Sequence, residues 1–375
     1  SEFDDHGIVG YLQPAEASVY ITTTATAQTK TAYTGIAYNA SFSTTSYVVA
    51  QFLGIPYAQP PTGSKRFAKP VINTPAVGSY DASKLGNICP QHSNSGDQCI
   101  SRLAPSMNED CLYLNIYVPL PNTTASDVES GVNRTLPTGK QYPVFFYIHG
   151  GDYYLRSGNC YNGTNLAGLG EVIVVISNYR LGILGFMATG DDVISGNLAL
   201  WDQWTALRTA LAHVLGPIID SAGTGGKTFM YKFSKAYTNA EAKMLFNFFE
   251  GTEHDADIPN VFGFVSGSDN IALSKTFMSY AINFIKTGDP NGPGLAQWKE
   301  FNAETQPYMY ISANTVEQRE YFGASIQQFW NELIPSLKQC KGSSSTADCL
   351  QNTVLVPMVT VAWSIYRFVV CINYN

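Results

Sequence analysis

Four consecutive residues, His149-Gly150-Gly151-Asp152, offer the clearest chemistry in the chain, and they sit between two apolar, β-rich runs, Val144–Ile148 and Val172–Ile176. Glycine has no Cβ, so a substrate can come close to the backbone at such a pair. A buried parallel strand delivers a loop of this kind to a catalytic face. Tyr153 and Tyr154 follow the glycines, and with Trp201 and Trp204 they are candidates for lining an apolar pocket, although aromatics at these spacings are more often ordinary core. No Cys/His spacing resembles a zinc site, and no Walker or dinucleotide glycine pattern occurs, so neither a metal nor a cofactor is expected.

The segments around this loop predict its support. Short β-like runs at Ile8–Leu12, Ser18–Thr23 and Tyr47–Phe52 alternate with Thr/Ala/Gly turns, as in a small N-terminal antiparallel region. Residues 52–61 read as an irregular Pro/Gly loop, because the consecutive Pro60 and Pro61 exclude helix and central strand. Leu112–Val118 has strand character, 121–140 reads as a polar exposed connection, and Asn197–Val214 has helical composition. Strand, loop, strand and helix in succession predict an α/β architecture.

Composition narrows the function classes. With 375 residues, 45% apolar and 14% charged, the chain is long enough for a substantial folded core. A net charge of −7 without a Lys/Arg cluster argues against nucleic acid as a partner. Seven cysteines and four Asn-X-Ser/Thr sequons, at Asn39, Asn122, Asn133 and Asn162, predict a secreted or extracellular glycoprotein. The odd cysteine count leaves at least one thiol free or paired between chains, and Cys340 with Cys349 could close a small loop. The opening residues SEFDDHGIVGYL carry no signal-peptide pattern and read as a mature form. Near the other end, Val354–Ile372 has the length of a membrane span but contains Pro357 and Arg367, so burial is expected over membrane anchoring.

The segments FLGIPYAQPPTGSKRF, EDCLYLNIYVP, PVFFYIHGG, NYRLGILGF and GNLALWDQ resemble, in order, the markers of the type-B carboxylesterase family, which includes cholinesterases, fungal lipases and the non-catalytic neuroligins. GTEHDADIPNVFG, LSKTFMSYAINFIKTGDPN, ETQPYMYI and FWNELIP continue the likeness to about residue 335. The resemblance implies one α/β-hydrolase domain over 1–375, with a central, mostly parallel sheet and an uncertain extension at 336–375. It implies hydrolysis of a small ester or lipid substrate through a serine acyl-enzyme. His254 stands where the family keeps its general base, and imidazole suits that role because it titrates near neutrality. Gly150 and Gly151 match the oxyanion-hole glycines, whose amides meet the charge of the tetrahedral intermediate. Asp152 replaces a third glycine. Cys89 with Cys111 matches the first disulfide loop of the family.

The family presents its serine on a Gly-X-Ser-X-Gly turn, and no serine here has glycine at both −2 and +2. The nearest approach is Ile219-Asp220-Ser221-Ala222-Gly223, which makes Ser221 the candidate nucleophile although Ile219 replaces the first glycine. Between 208 and 228 the chain crosses in Ala, Gly and Ser where roughly 150 residues of a usual domain belong, among them the elbow and the acidic triad member. An incomplete middle is therefore expected, either a deletion or a join between parts of a longer molecule. The alternative function is a cholinesterase-like adhesion or structural protein that has lost catalysis.

Overall fold

A computed structural model describes residues 18–25, 29–73, 78–92, 98–121, 123, 126, 134–135, 142–191, 193–210, 227–235, 252, 256–265, 267–302 and 304–321. The predicted strand Ile8–Leu12, Ser221, His254, Cys340, Cys349 and the apolar segment 354–372 lie outside these residues. The chain divides into two compact units, with described residues 18–210 and 257–295 in the first and 227–256 and 296–321 in the second.

The first unit is built on an eight-stranded mixed sheet. Its strands are β1 (Ser18–Ala25), β2 (Thr29–Phe42), β3 (Thr45–Pro56), β4 (Gly78–Asp81), β5 (Tyr113–Pro119), β6 (Arg134–Thr135), β7 (Val144–Ile148) and β8 (Ile173–Ser177), in the order β6-β1-β2-β3-β5-β8-β7, with β4 beside β2. β1, β2, β3, β5 and β8 pair antiparallel in turn. β7 and β8 pair parallel, as do β2 with β4 and β1 with β6. A parallel neighbour requires a crossover of a dozen or more residues. Residues 149–172 provide it for β7 and β8, while the tight turn at Ser43 and Thr44 can join β2 to β3 only antiparallel. The strand expected at Leu112–Val118 is β5, and the two apolar runs around the glycine loop are β7 and β8; residues 52–56, expected to run irregularly, instead complete the internal strand β3, whose register shifts between Phe52 and Ile55.

All five β8 residues are buried, as both faces of a covered parallel pair require. Helices of this unit are α1 (Gln98–Leu103), α2 (Thr164–Gly170), α3 (Gly182–Phe186), α4 (Leu198–Thr209), α5 (Ile258–Phe262) and α6 (Ser268–Thr287). Side chains alternate across a strand, so Val174 and Ile176 face one layer, and Ile173 and Val175 the other. α2 packs against β3 and β5 on the Val174 side, with α5 and α6 behind it. On the opposite face Ile173, Val175 and Phe146 share a core cluster with Ala199 and Ala206 of α4 and with Ala210 just after it. The result is an α/β arrangement with apolar layers on both faces, and among the described residues the sheet is mixed and mainly antiparallel where a mostly parallel one was expected.

The second unit contains a three-stranded sheet, β11 (Val316–Arg319), β10 (Tyr308–Ser312) and β9 (Tyr231–Ser234), in that order. β9 pairs parallel with β10, and β11 returns antiparallel. Trp298 closes this unit, donating from Nε1 to the Met230 carbonyl at 2.9 Å and packing edge-on against Phe229 and Tyr231.

Candidate active site

β7 ends at Ile148, and the chain turns into the glycine loop over a buried His149. The imidazole stacks on Tyr179, with ring centroids 4.4 Å apart, and its Nδ1 lies 2.8 Å from the Gly150 carbonyl oxygen. The Tyr179 hydroxyl donates to the His149 carbonyl at 2.7 Å. His149 is thereby a structural residue that joins the β7 end to the segment following β8.

Gly151 has φ +115°, and a Cβ there would stand 2.2 Å from the Leu155 carbonyl oxygen. Only glycine meets both conditions. Its own carbonyl accepts from the amides of Tyr154 at 3.0 Å and Leu155 at 2.9 Å, so the loop curls back on itself. Asp152, Tyr153 and Arg156 follow with φ of +52°, +62° and +77°. Left-handed backbone at non-glycine residues is costly, and it concentrates at functional sites. Aspartate tolerates this region better than most residues, which accounts for a backbone that accepts Asp152 in place of a third glycine. The Asp152 side chain is exposed, so water screens its charge. Among the described residues, neither the Gly150 nor the Gly151 amide N–H meets a hydrogen-bond acceptor. Two open donors side by side at a parallel strand's end can receive an anionic oxygen.

Behind the loop lies a buried polar network. Ser157 Oγ donates to Asn178 Oδ1 at 2.8 Å, and the same oxygen accepts from the Gly158 amide at 2.8 Å. Asn115 Nδ2 donates to Asn159 Oδ1 at 3.0 Å, while Asn115 Oδ1 accepts from the Gly54 amide at 3.0 Å. Tyr57, buried beside the network, donates to the Asn178 carbonyl at 2.9 Å. Burial pushes the Tyr57 hydroxyl well above its ordinary range, so it stays a protonated donor.

Cys89 is joined to Cys111, with an S–S distance of 2.05 Å, and Cys99 to Cys160, at 2.06 Å. The second bridge was not legible in the sequence, because its half-cystines are 61 residues apart and no pattern of spacing selects them. Outside the staple, Arg66 and Glu109 form a two-bonded pair at 2.6 and 2.7 Å.

The aromatic residues depart from the expectation of ordinary core. Tyr153, Tyr154, Trp201 and Trp204 are all exposed. α4 buries Leu198, Asp202, Thr205, Ala206 and Thr209, a stripe at helical spacing, which leaves Trp201 and Trp204 on the outer face. Lys69 Nζ sits 4.0 Å above the Trp201 ring, and Tyr153 packs on Phe186 at 4.9 Å.

Of the expected site residues, the structure describes Gly150 and Gly151; it does not describe Ser221 or His254. Asn39 and Asn162 are exposed, while Asn122 and Asn133 lie outside the described residues. No group of three or more metal-ligating side chains occurs among the described residues.

A family model described as the carboxylesterase family matches residues 27–214 and 210–330. The chain belongs to the carboxylesterase family. Within it, cocaine esterase of Oryctolagus cuniculus is 34% identical over 274 residues, 70% of this chain and 48% of that protein. Neuroligin-2 of Mus musculus is 38% identical over 179 residues, 43% of this chain and 21% of that protein. The chain thus spans about half or less of the length of these carboxylesterase-family relatives. Among solved structures, a thermophilic PNB esterase superposes with a TM-score of 0.59 at 18% identity, covering 82% of this chain and 99% of that one. The fold is that of an α/β-hydrolase.

Proposed function

We propose that the chain carries the ester-hydrolysing half-site of a secreted carboxylesterase, acting on a small ester or lipid substrate. In this reading the Gly150 and Gly151 amides form the oxyanion hole, His254 is the general base, and a serine forms the acyl-enzyme. Ser221 is the candidate for that serine in this chain. The observation that carries the proposal is the pair of amides at the end of β7 that meet no acceptor among the described residues, held by a backbone that only glycine can adopt at Gly151. The likeness to cocaine esterase over 70% of the chain supports it.

A second reading is a non-catalytic adhesion or structural protein. The 38% identity to Neuroligin-2 supports it, as do Asp152 in place of a glycine and the lack of a Gly-X-Ser-X-Gly turn. Turnover of a p-nitrophenyl ester by the purified protein, abolished by an organophosphate, decides for the enzyme. No turnover and no covalent label on the intact protein decide for the second reading.

Secretion with N-glycans at Asn39 and Asn162 belongs to the same proposal, supported by the two disulfides and the exposure of both asparagines. Expressed in a secretory host, the chain should exceed its 40.9 kDa polypeptide mass until treated with an endoglycosidase. Among the described residues no helix is long and apolar enough to cross a membrane.

A further inference from the structure

The backbone that presents Gly150 and Gly151 is gripped at Arg156 by the side chain of Gln91. Gln91 lies two residues beyond the disulfide-bonded Cys89. The Arg156 amide donates to Gln91 Oε1 at 2.7 Å, and Gln91 Nε2 donates back to the Arg156 carbonyl at 2.9 Å. The same Nε2 donates to the Cys89 carbonyl at 3.1 Å, tying the clamp to the disulfide. A carboxamide offers an acceptor and a donor in one plane, which is what the N–H and C=O of a single residue require.

The clamp reaches Gly151 through one rigid group. The Arg156 N–H and the Leu155 C=O belong to the same planar peptide. That Leu155 oxygen is the atom a Cβ on Gly151 would meet at 2.2 Å. The preceding Leu155 amide donates to the Gly151 carbonyl at 2.9 Å. Fixing the Arg156 N–H therefore fixes the plane against which Gly151 rests. Arg156 itself has φ +77°, a conformation that relaxes unless neighbouring contacts hold it.

We propose that Gln91 is a positioning residue for the oxyanion loop, setting the direction of the Gly150 and Gly151 amides through the Leu155–Arg156 peptide without touching substrate. The inference rests on the reading of those amides as oxyanion donors.

The test uses the full chain with Gln91→Ala, which removes all three side-chain bonds, and Gln91→Glu, which keeps the acceptor for the Arg156 N–H and loses the two donated bonds. Hydrogen exchange is read at Tyr154 and Leu155, whose amides bond Gly151, and at β5 and β8 as internal controls. Gln91→Ala should speed exchange at Tyr154 and Leu155 by about tenfold or more and leave the control strands unchanged, as a local opening does. With p-nitrophenyl butyrate, kcat should fall by up to about a hundredfold at a nearly constant KM, the effect expected of a small misplacement of catalytic groups. Gln91→Glu should rescue neither above neutral pH, because its second carboxylate oxygen would face the Arg156 and Cys89 carbonyls where Nε2 now donates. Unchanged exchange at Tyr154 and Leu155, or equal acceleration in the control strands, overturns the proposal. So does faster loop exchange with an unaltered kcat. If the unmodified chain shows no turnover, the esterase reading fails by itself and the exchange data alone decide whether Gln91 holds the loop.

Discussion

Arg180 and Asp202 meet through two hydrogen bonds of 2.7 Å, Nε to Oδ2 and Nη2 to Oδ1, with only 2% and 0% of their side chains exposed. Burial pushes the Asp202 carboxyl upward, and the hydrogen bonds and charge of Arg180 oppose that shift. Arg180 Nη1 also donates to the carbonyls of Arg66 at 3.0 Å and Ala68 at 2.9 Å. One guanidinium thus joins the segment after β8, the helix α4 and residues 66–68. Removing one partner leaves an uncompensated buried charge, so Asp202→Asn or Arg180→Met should each cost about 3–5 kcal/mol in urea unfolding. Replacing both by apolar residues should restore only part of that loss, because the Arg66 and Ala68 carbonyls lose their donor. Full recovery in the double variant would show that those carbonyl bonds contribute nothing.

Gly151→Ala tests the glycine loop directly. The methyl would meet the Leu155 carbonyl at 2.2 Å in a backbone region closed to alanine, so the loop must move. Loss of one such conformation costs about 1–3 kcal/mol. In an active esterase, kcat/KM should fall by about 10²–10³, as for removal of an oxyanion donor. A variant with normal melting and normal turnover would rule out the oxyanion role.

Alkaline stability follows from the buried tyrosines. Burial, with the neighbouring Tyr80, raises the Tyr33 hydroxyl to about 12, and burial raises Tyr47 and Tyr117 further. Unfolded tyrosine ionises near pH 10, so these folded values are raised. Their contribution is fully present below pH 10 and is lost as pH rises toward and through the folded values. The urea midpoint should therefore decline from about pH 10 upward. Absorbance at 295 nm should show a class of tyrosines that ionises only above pH 11 or with unfolding; a single transition near pH 10 in folded protein would contradict this.

How much of this was legible in the sequence depends on the range of the interactions. β7, β8, β5 and α4 were readable because apolar runs and helical spacing are local signals, and β7 falls on Val144–Ile148 without adjustment. The glycine loop was readable because glycine pairs are rare and carry a backbone reason. The Gln91 clamp, the Arg180–Asp202 pair and the buried Asn115, Asn159 and Asn178 network were not. Their bonds join residues 20 to 65 positions apart, and a polar residue in an apolar context does not announce its partner. The outward placement of Trp201 and Trp204 was missed for a related reason. Asp202 lies on the buried side of α4, where Arg180 meets it, and the two tryptophans lie on the exposed side.

The two disulfides give the last prediction. Cys89–Cys111 closes 22 positions and Cys99–Cys160 closes 61, and the loops interlock because Cys99 lies inside the first. Chain-entropy reasoning assigns about 3 kcal/mol to the shorter and about 4 kcal/mol to the longer. Removing Cys99–Cys160 by paired alanine substitution should therefore lower the melting temperature more than removing Cys89–Cys111. Because the loops overlap, each bridge already restricts part of what the other closes, and the combined loss should be less than the sum. The shorter bridge seats Gln91, so its removal should also speed exchange at Tyr154 and Leu155. If the shorter bridge proves the more stabilising, native contacts around Cys89 outweigh loop entropy, and the Gln91 clamp is the first of those contacts to test by a double-mutant cycle.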